Sequence, residues 1–163
     1  LQRLQADFKE RKDALSDAIL LVTESIAELY DDRDGRFEIS ATAHGPEFEI
    51  SIEGDRGGGI SNMEIFCLDL ALLNINAARR RGPGLLFHDS HLFDGVDERQ
   101  VARALLLGER ATKGKNLQYI VALNSDIFDR LPLDSSINVE DVVLKTRLSD
   151  KAETGGLFGM RFD

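Results

Sequence analysis

The sequence has 163 residues and contains no tryptophan, one cysteine and three prolines. A single thiol cannot form an internal disulfide, which excludes a disulfide-stapled secreted scaffold. That thiol, Cys67, lies inside the apolar stretch IFCLDLALL with no histidine near it in sequence. A buried, unreactive side chain is the expectation. No apolar run approaches the roughly 20 residues that span a bilayer, so no membrane partner is expected. The start, LQRLQADFKERKD, carries acidic residues on an amphipathic pattern. It matches neither a secretory leader nor an Arg-rich transit peptide, and the expected location is cytoplasmic. Excess positive charge is missing too. Twenty Lys and Arg face 29 Asp and Glu, a net charge of −9, which argues against a dedicated nucleic-acid-binding module. Also absent is GxxxxGK[ST], the backbone cradle for nucleotide phosphates. With no HExxH pattern and no second cysteine, His88 and His91 do not read as a zinc pair.

What is present fits one core with a covered surface, and the initial Leu1 fits a piece of a longer chain. Residues 1–30 read as a helix. Leu1, Leu4, Phe8, Leu15, Ile19, Val22, Ile26 and Leu29 recur at three- and four-residue spacing, with a slip between Phe8 and Leu15. Such a helix would extend roughly 45 Å, far enough for its first turns to project as an arm. After a turn at DDRDG, Phe37, Ile39 and Ala41 alternate with polar residues, as do Phe48, Ile50 and Ile52. HGPE at 44–47 between them predicts an antiparallel hairpin. GDRGGG at 54–59 reads as a flexible loop. Ser61 and Glu64 fit a capping box, which predicts a helix starting at Ser61 and continuing through Ile65, Leu68, Leu72 and Ile75. RRR at 79–81 reads as its solvated terminus, favoured by the helix dipole, and GPG stops it.

GLLFHD at 84–89 is a short apolar strand ending in a carboxylate. DERQVARALLLGERA at 97–111 is a second helix, and QYIVALN at 118–124 a further strand. Helix, strand, helix, strand is the order of half a parallel α/β sheet. Residues 127–131 read as a helical turn, 139–150 as a strand or short helix, and the closing LFGMRFD as an edge strand. In open α/β sheets ligands bind beyond the carboxyl ends of the strands. Asp89 and Asn124 belong on that edge, with His88, Ser90, His91, Asp94 and Asp97 between them in sequence. One carboxylate there suits Mg²⁺ held through water beside a nucleotide. The bland reading of Asp89 is a turn or helix-cap residue.

The order of these features adds a resemblance. GGGISNMEIFCLDLALL resembles the signature motif and following helix of SMC/Rad50-class ABC-type ATPases, with Ser61 and Glu64 in place and Asn62 and Met63 where two glycines usually stand. GLLFHD resembles the Walker B strand, Val96-Asp97 the D-loop, and LQYIVALN the strand that ends in the switch histidine. More narrowly, GGGISNMEIFCLDLALL, HDSHLFDGVDERQ and QYIVALNSD resemble the DUF2326 family, the C-terminal regions of bacterial coiled-coil ATPases related to SMC and RecN proteins. The resemblance implies an α/β fold, the C-terminal lobe of an ABC/SMC-type ATPase head, on residues 31–163, and the end of a coiled-coil arm on 1–30. It implies ATP and Mg²⁺ as cofactors, with Asp89 on the metal and Gly59, Ser61, Asn62 and Glu64 facing nucleotide. The implied partners are an N-terminal Walker A lobe of the same protein, a second head in a homodimer, and DNA for the full-length protein. The implied role is DNA repair, maintenance or defence.

Departures from the pattern carry chemistry. Ser90 stands at the catalytic-glutamate position and is no general base at neutral pH. Asp94, Asp97 and Glu98 are the candidate replacements. Asn124, at the switch position, can orient a water but cannot carry a proton as histidine does. Alternatives are a non-hydrolytic nucleotide-sensing or scaffold lobe, and a metal-dependent nuclease-like module in which Asp89, Asp94 and Asp97 gather metal. Lacking Walker A, the isolated chain is expected to be inactive.

Overall fold

The computed structural model describes residues 1–54, 57–133, 139–149, 151–152, 154–156 and 158–160. Contacts divide the chain into two units, Leu1–Pro132 and Leu133–Asp163. The first holds α1 (Gln2–Glu10), α2 (Lys12–Leu29), β1 (Gly35–Thr42), β2 (Gly45–Ile52), α3 (Gly58–Ala78), β3 (Leu85–His88), a 3₁₀ turn (Ser90–Phe93), α4 (Glu98–Thr112), β4 (Gln118–Val121) and α5 (Ser125–Phe128). The second holds one helical turn, α6 (Val139–Val142).

The first helix differs from its expectation. It is interrupted at Arg11 (φ −99°, ψ 16°), inside the slip between Phe8 and Leu15. Phe8 and Leu15 cannot share one stripe without a change of phase, and the chain makes that change at Arg11. No residue of α1 is buried, whereas Val22, Ile26 and Leu29 of α2 are fully buried. The second half of α2 is therefore core, not arm.

β1 and β2 form the expected antiparallel hairpin, with Phe37 opposite Ile50 and Ile39 opposite Phe48. The turn is tighter than HGPE suggested. Thr42 pairs with Gly45, leaving Ala43 and His44 as the loop. The Thr42 hydroxyl donates to the Gly45 carbonyl (2.9 Å) and accepts from the His44 N–H (3.2 Å), and Gly45 takes φ 132°.

α3 corrects the capping-box reading. It begins at Gly58, three residues before Ser61, with Gly57 at the cap and no side-chain cap bond. The Gly57 carbonyl accepts from Ile60 N–H (3.0 Å) and Ser61 N–H (3.5 Å), so Ser61 lies inside the helix. At its other end Arg80 adopts φ 54°, and the N–H groups of Arg80 and Arg81 satisfy the carbonyls of Ala77 and Asn76. By length and composition α3 is apolar enough to cross a membrane, contrary to the expectation that no segment is. Here it is the central core helix, burying Met63, Phe66, Cys67, Leu70, Ala71 and Leu73. Burial pushes the Cys67 thiol up to about 12.

β3 and β4 pair in parallel, Leu85 with Gln118 through His88 with Val121. β4 ends at Val121, short of Asn124, which instead holds the N-cap position of α5 without a side-chain cap bond. That turn starts at Ser125, two residues before the expected Ile127. α4 packs Val101, Ala104 and Leu107 into the same core, and Gly108 admits the Tyr119 ring. Arg103 donates to the Leu29 carbonyl and pairs with Asp31, while Arg110 pairs with Glu28, pinning α4 to α2. One face of β3 lies on this core; on the other, Leu85 and Phe87 are 44% and 55% exposed. In the second unit only Val139–Val142 of the expected 139–150 element are helical, as α6; residues 143–149 are bends or irregular, and Asp150 lies outside the described residues. Phe158–Met160 of the closing segment lie in turn and bends, and the rest of it falls outside the described residues.

Candidate functional site

The carboxyl ends of β3 and β4 carry Asp89 and, three residues beyond Val121, Asn124. Asp89 leaves the sheet in extended conformation and caps the 3₁₀ turn, its Oδ1 accepting from His91 N–H (3.0 Å) and from the Ser90 hydroxyl (3.5 Å). Among the described residues its Oδ2 has no hydrogen-bond partner, and the side chain is exposed. Both the cap role and an open carboxylate oxygen are thus present in one residue. A single exposed carboxylate after an apolar strand fits Mg²⁺ held through water.

The turn after Asp89 is tied to the start of α3. Asn62 Nδ2 donates to the carbonyls of Asp94 (3.1 Å) and His91 (3.4 Å). Gly59 packs so closely on Gly95 that an added Cβ would lie 2.2 Å from the Gly95 carbonyl oxygen. Two residues expected to face a nucleotide therefore brace the 91–96 segment. Ser61 is exposed on the first turn of α3, and Glu64, half-buried one turn further on, interacts electrostatically with Tyr30 and Cys67.

The candidate bases are all engaged. Asp97 caps α4, accepting from Arg99 N–H (2.9 Å) and Arg99 Nε (3.0 Å), and this guanidinium holds its carboxyl below the usual range. Glu98 pairs with Arg130 at 3.7 Å. Asp94 bonds His91 Nδ1 at 2.9 Å, which raises the exposed His91 above its ordinary pKa, with a smaller push from the Asp89 charge. Among the described residues no three His, Cys, Asp or Glu are grouped to hold a metal. Asp89, Asp94 and Asp97 therefore do not form the cluster of the nuclease-like alternative.

A network that the sequence reading did not single out lies directly behind Asp89. His88, 6% exposed, meets Asp69 Oδ2 through Nε2 (3.2 Å) and the Tyr119 hydroxyl through Nδ1 (3.2 Å). Phe66 and Tyr119 flank the imidazole at centroid distances of 5.6 and 5.4 Å. The network joins α3, β3 and β4. Its signal was the one carboxylate in IFCLDLALL; Asp69 lies at the half-exposed edge of α3, within reach of the buried imidazole, which is the group that needs a polar partner.

Two solved structures share this architecture. One is an Smc head bound to the C-winged helix domain of ScpA (TM-score 0.50, 18% identity, covering 73% of this chain and 39% of that one). The other is an Smc head domain with an extended coiled coil bound to the C-terminal domain of ScpA, derived from Pyrococcus furiosus (TM-score 0.51, 17% identity, 74% and 32%). Identities this low define the fold alone: an α/β domain distantly resembling the SMC/ABC-ATPase head, spanning under two-fifths of the chains it matches. The chain belongs to the DUF2326 family, "Uncharacterised protein conserved in bacteria", which it matches over residues 25–162. Among curated proteins there is no match.

Proposed function

We propose that this chain is the C-terminal lobe of an SMC/RecN-like ATPase head, which binds Mg-ATP at a composite site and acts in the cytoplasm in DNA repair, maintenance or defence. The observation that carries this reading is the brace between the start of α3 and the segment after Asp89. Asn62 and Gly59 hold together the two segments that resemble the signature and Walker B–D-loop motifs. Asp89 would take Mg²⁺ through water, and Asn124 would orient a water at the same edge. Gly59 and Asn62 would act by positioning this edge; Ser61 and Glu64 would serve a nucleotide held by a second head. The N-terminal Walker A lobe of the same protein would cover Leu85 and Phe87, and two such heads would pair as a homodimer.

One observation favours a switch over a fast enzyme. Ser90 is no base, and Asp94, Asp97 and Glu98 are each paired with a cationic or imidazole partner. Slow hydrolysis, with ATP serving chiefly to engage heads, follows from that pairing. The test is Asp89→Asn in the complete protein with Mg²⁺ present. An amide is a poor ligand for a hard cation, so hydrolysis should fall about a hundredfold or more, the scale on which losing a positioned charge-stabilising group acts. The fold should be intact by circular dichroism. Wild-type turnover in D89N would remove Asp89 from the mechanism and the reading with it.

A further inference from the structure

His88, the residue before Asp89, is held at its backbone and at both ring nitrogens. Its carbonyl accepts from Ala122 N–H (3.0 Å), just past β4. Its Nε2 lies 3.2 Å from Asp69 Oδ2 on α3, and its Nδ1 3.2 Å from the Tyr119 hydroxyl on β4. A carboxylate only accepts, so Nε2 carries a proton and donates it to Asp69. Packing alone does not call for a histidine here. Leu86, two residues earlier on the same face of β3, packs against the core with no polar side-chain atom. An imidazole buried between Phe66 and Tyr119 is tolerated because both of its nitrogens are bonded. Fully satisfied, such a network rigidifies its surroundings and specifies one arrangement. The residues after Asp89 are tied to the same helix, because Asn62 donates to the carbonyls of His91 and Asp94. Asn62 and Asp69 stand seven positions apart, two turns along one face of α3. Asp89 is thus flanked on both sides by attachments to α3.

We propose that Asp69 is a positioning residue for Asp89: by anchoring His88 to α3, it sets where the carboxylate that follows meets a divalent cation. The proposal rests on the reading of Asp89 as the Mg²⁺-side carboxylate. The Asp89 side chain is exposed and, among the described residues, is held through Oδ1 alone. The direction of its open oxygen is therefore set by the backbone on either side. β3 is four residues long and pairs with one strand, which restrains that backbone weakly. The imidazole adds a restraint across to the central helix. A metal-side carboxylate gains from fixed orientation, and groups that act from behind a ligand are typically worth about tenfold or more in metal affinity. The anchor is separable from the fold. The Asp69 side chain is 37% exposed, so water can replace it at Nε2 when it is removed, and no core residue is lost.

The test is titration of a fluorescent ATP analogue into the complete protein, with and without Mg²⁺. The ratio of the two dissociation constants measures the affinity gained through the metal. Loss of folded protein, or of nucleotide contacts alone, leaves that ratio unmoved. Asp69→Ala should lower the gain roughly tenfold, the lower end of the range for such partners. Asp69→Asn, which keeps an oxygen to accept from Nε2, should restore most of it. Asn74→Ala, on the same helix but bonded to Lys115 at the other end of the strands, should leave the gain unchanged. An unchanged gain in D69A, a loss in D69N as large as in D69A, or an equal loss in N74A would overturn the assignment. Asp89→Asn separates the assignment from the reading beneath it. A gain lost in D89N but kept in D69A removes only the role of Asp69. A gain intact in D89N, or no gain in the wild type, removes both.

Discussion

Gly58 and Gly59 are neighbours in the first turn of α3, and the structure predicts opposite consequences for the same substitution. Alanine at either position removes backbone freedom from the unfolded chain and raises helix propensity, a gain of about 0.5–1 kcal/mol. A Cβ at Gly58 meets nothing within 4 Å. A Cβ at Gly59 falls 2.2 Å from the Gly95 carbonyl oxygen, 2.7 Å from its carbon and 3.1 Å from Val96 Cα. All three are backbone atoms, so no rotamer change relieves the clash. The 94–96 segment must move, and it carries the Asp94 carbonyl that accepts from Asn62. Overpacking of this kind costs about 1–3 kcal/mol. Because the propensity gain is common to both variants, the difference between them isolates the clash: about 1–3 kcal/mol. For a chain of this length, that corresponds to roughly 2–4 °C of Tm per kcal/mol. Urea and thermal unfolding by far-UV circular dichroism should therefore find Gly58→Ala at or above wild type and Gly59→Ala several degrees below Gly58→Ala. Equal midpoints for the two would mean that Gly95 does not press on α3, and the brace between the two segments would be lost from the argument.

Asp94→Asn should lower the His91 pKa toward its ordinary 6.5, read by NMR titration of the ring protons. Because the Asp94 bond raises that pKa, the pair's contribution to stability is complete below 6.5 and fades as pH rises through the folded value. An unchanged titration would break the pair. Tyr119→Phe strips His88 Nδ1 of its hydroxyl partner in a buried site and should cost about 1–3 kcal/mol in urea unfolding, with a neutral result dissolving the network. Ser61→Ala should change stability by less than the ~1 kcal/mol of a lost N-cap, because Ser61 lies inside the helix. Ser61→Arg in the complete protein should block ATP-induced dimerisation while sparing nucleotide binding; normal dimerisation in sedimentation would take Ser61 out of the composite site.

Periodicity alone carried much of the fold. The alternation at Phe37–Ala41 and Phe48–Ile52 matches the hairpin register, with Phe37 and Ile52 buried at the end nearest the core and Phe48 57% exposed towards the turn. The slip between Phe8 and Leu15 was read within one helix, and the chain instead breaks there, at Arg11. The start of α3 was not legible. Glycines are poor helix formers, so GGG reads locally as loop, and it is the Gly95 backbone lying against Gly59 that accompanies helix there. The same limit applies to roles. Asp89 and Asp97 both follow the pattern of a helix cap and of a ligand-side carboxylate, and only the partners separate them. Asp97 is engaged by Arg99 with both backbone and side chain, whereas Asp89 Oδ2 has no partner among the described residues. His88 shows the converse. Sequence order placed it among the polar residues of the ligand edge, whereas the structure buries it, and the Asp69 and Tyr119 that make burial tolerable come from 19 residues before and 31 after it.

The strand that ends in Asp89 is also the strand left half-covered, and the two facts have one physical consequence. A two-stranded sheet is marginal by itself. β3 and β4 are held because Leu86, Tyr119 and Val121 pack against the core of α2, α3 and α4, while His88 bonds to α3 through Asp69. The other face presents Leu85 and Phe87 to solvent, and among the described residues no third strand pairs with either edge. Successive residues of a strand rise by about 3.3 Å, so Phe87 lies only about 7 Å along the chain from Asp89. Whatever buries Phe87 must also lie close to the carboxylate, lower the local dielectric around it, and strengthen its attraction for a cation. Under the composite-site reading, docking of the Walker A lobe and tightening of Mg²⁺ at Asp89 are therefore a single event rather than two.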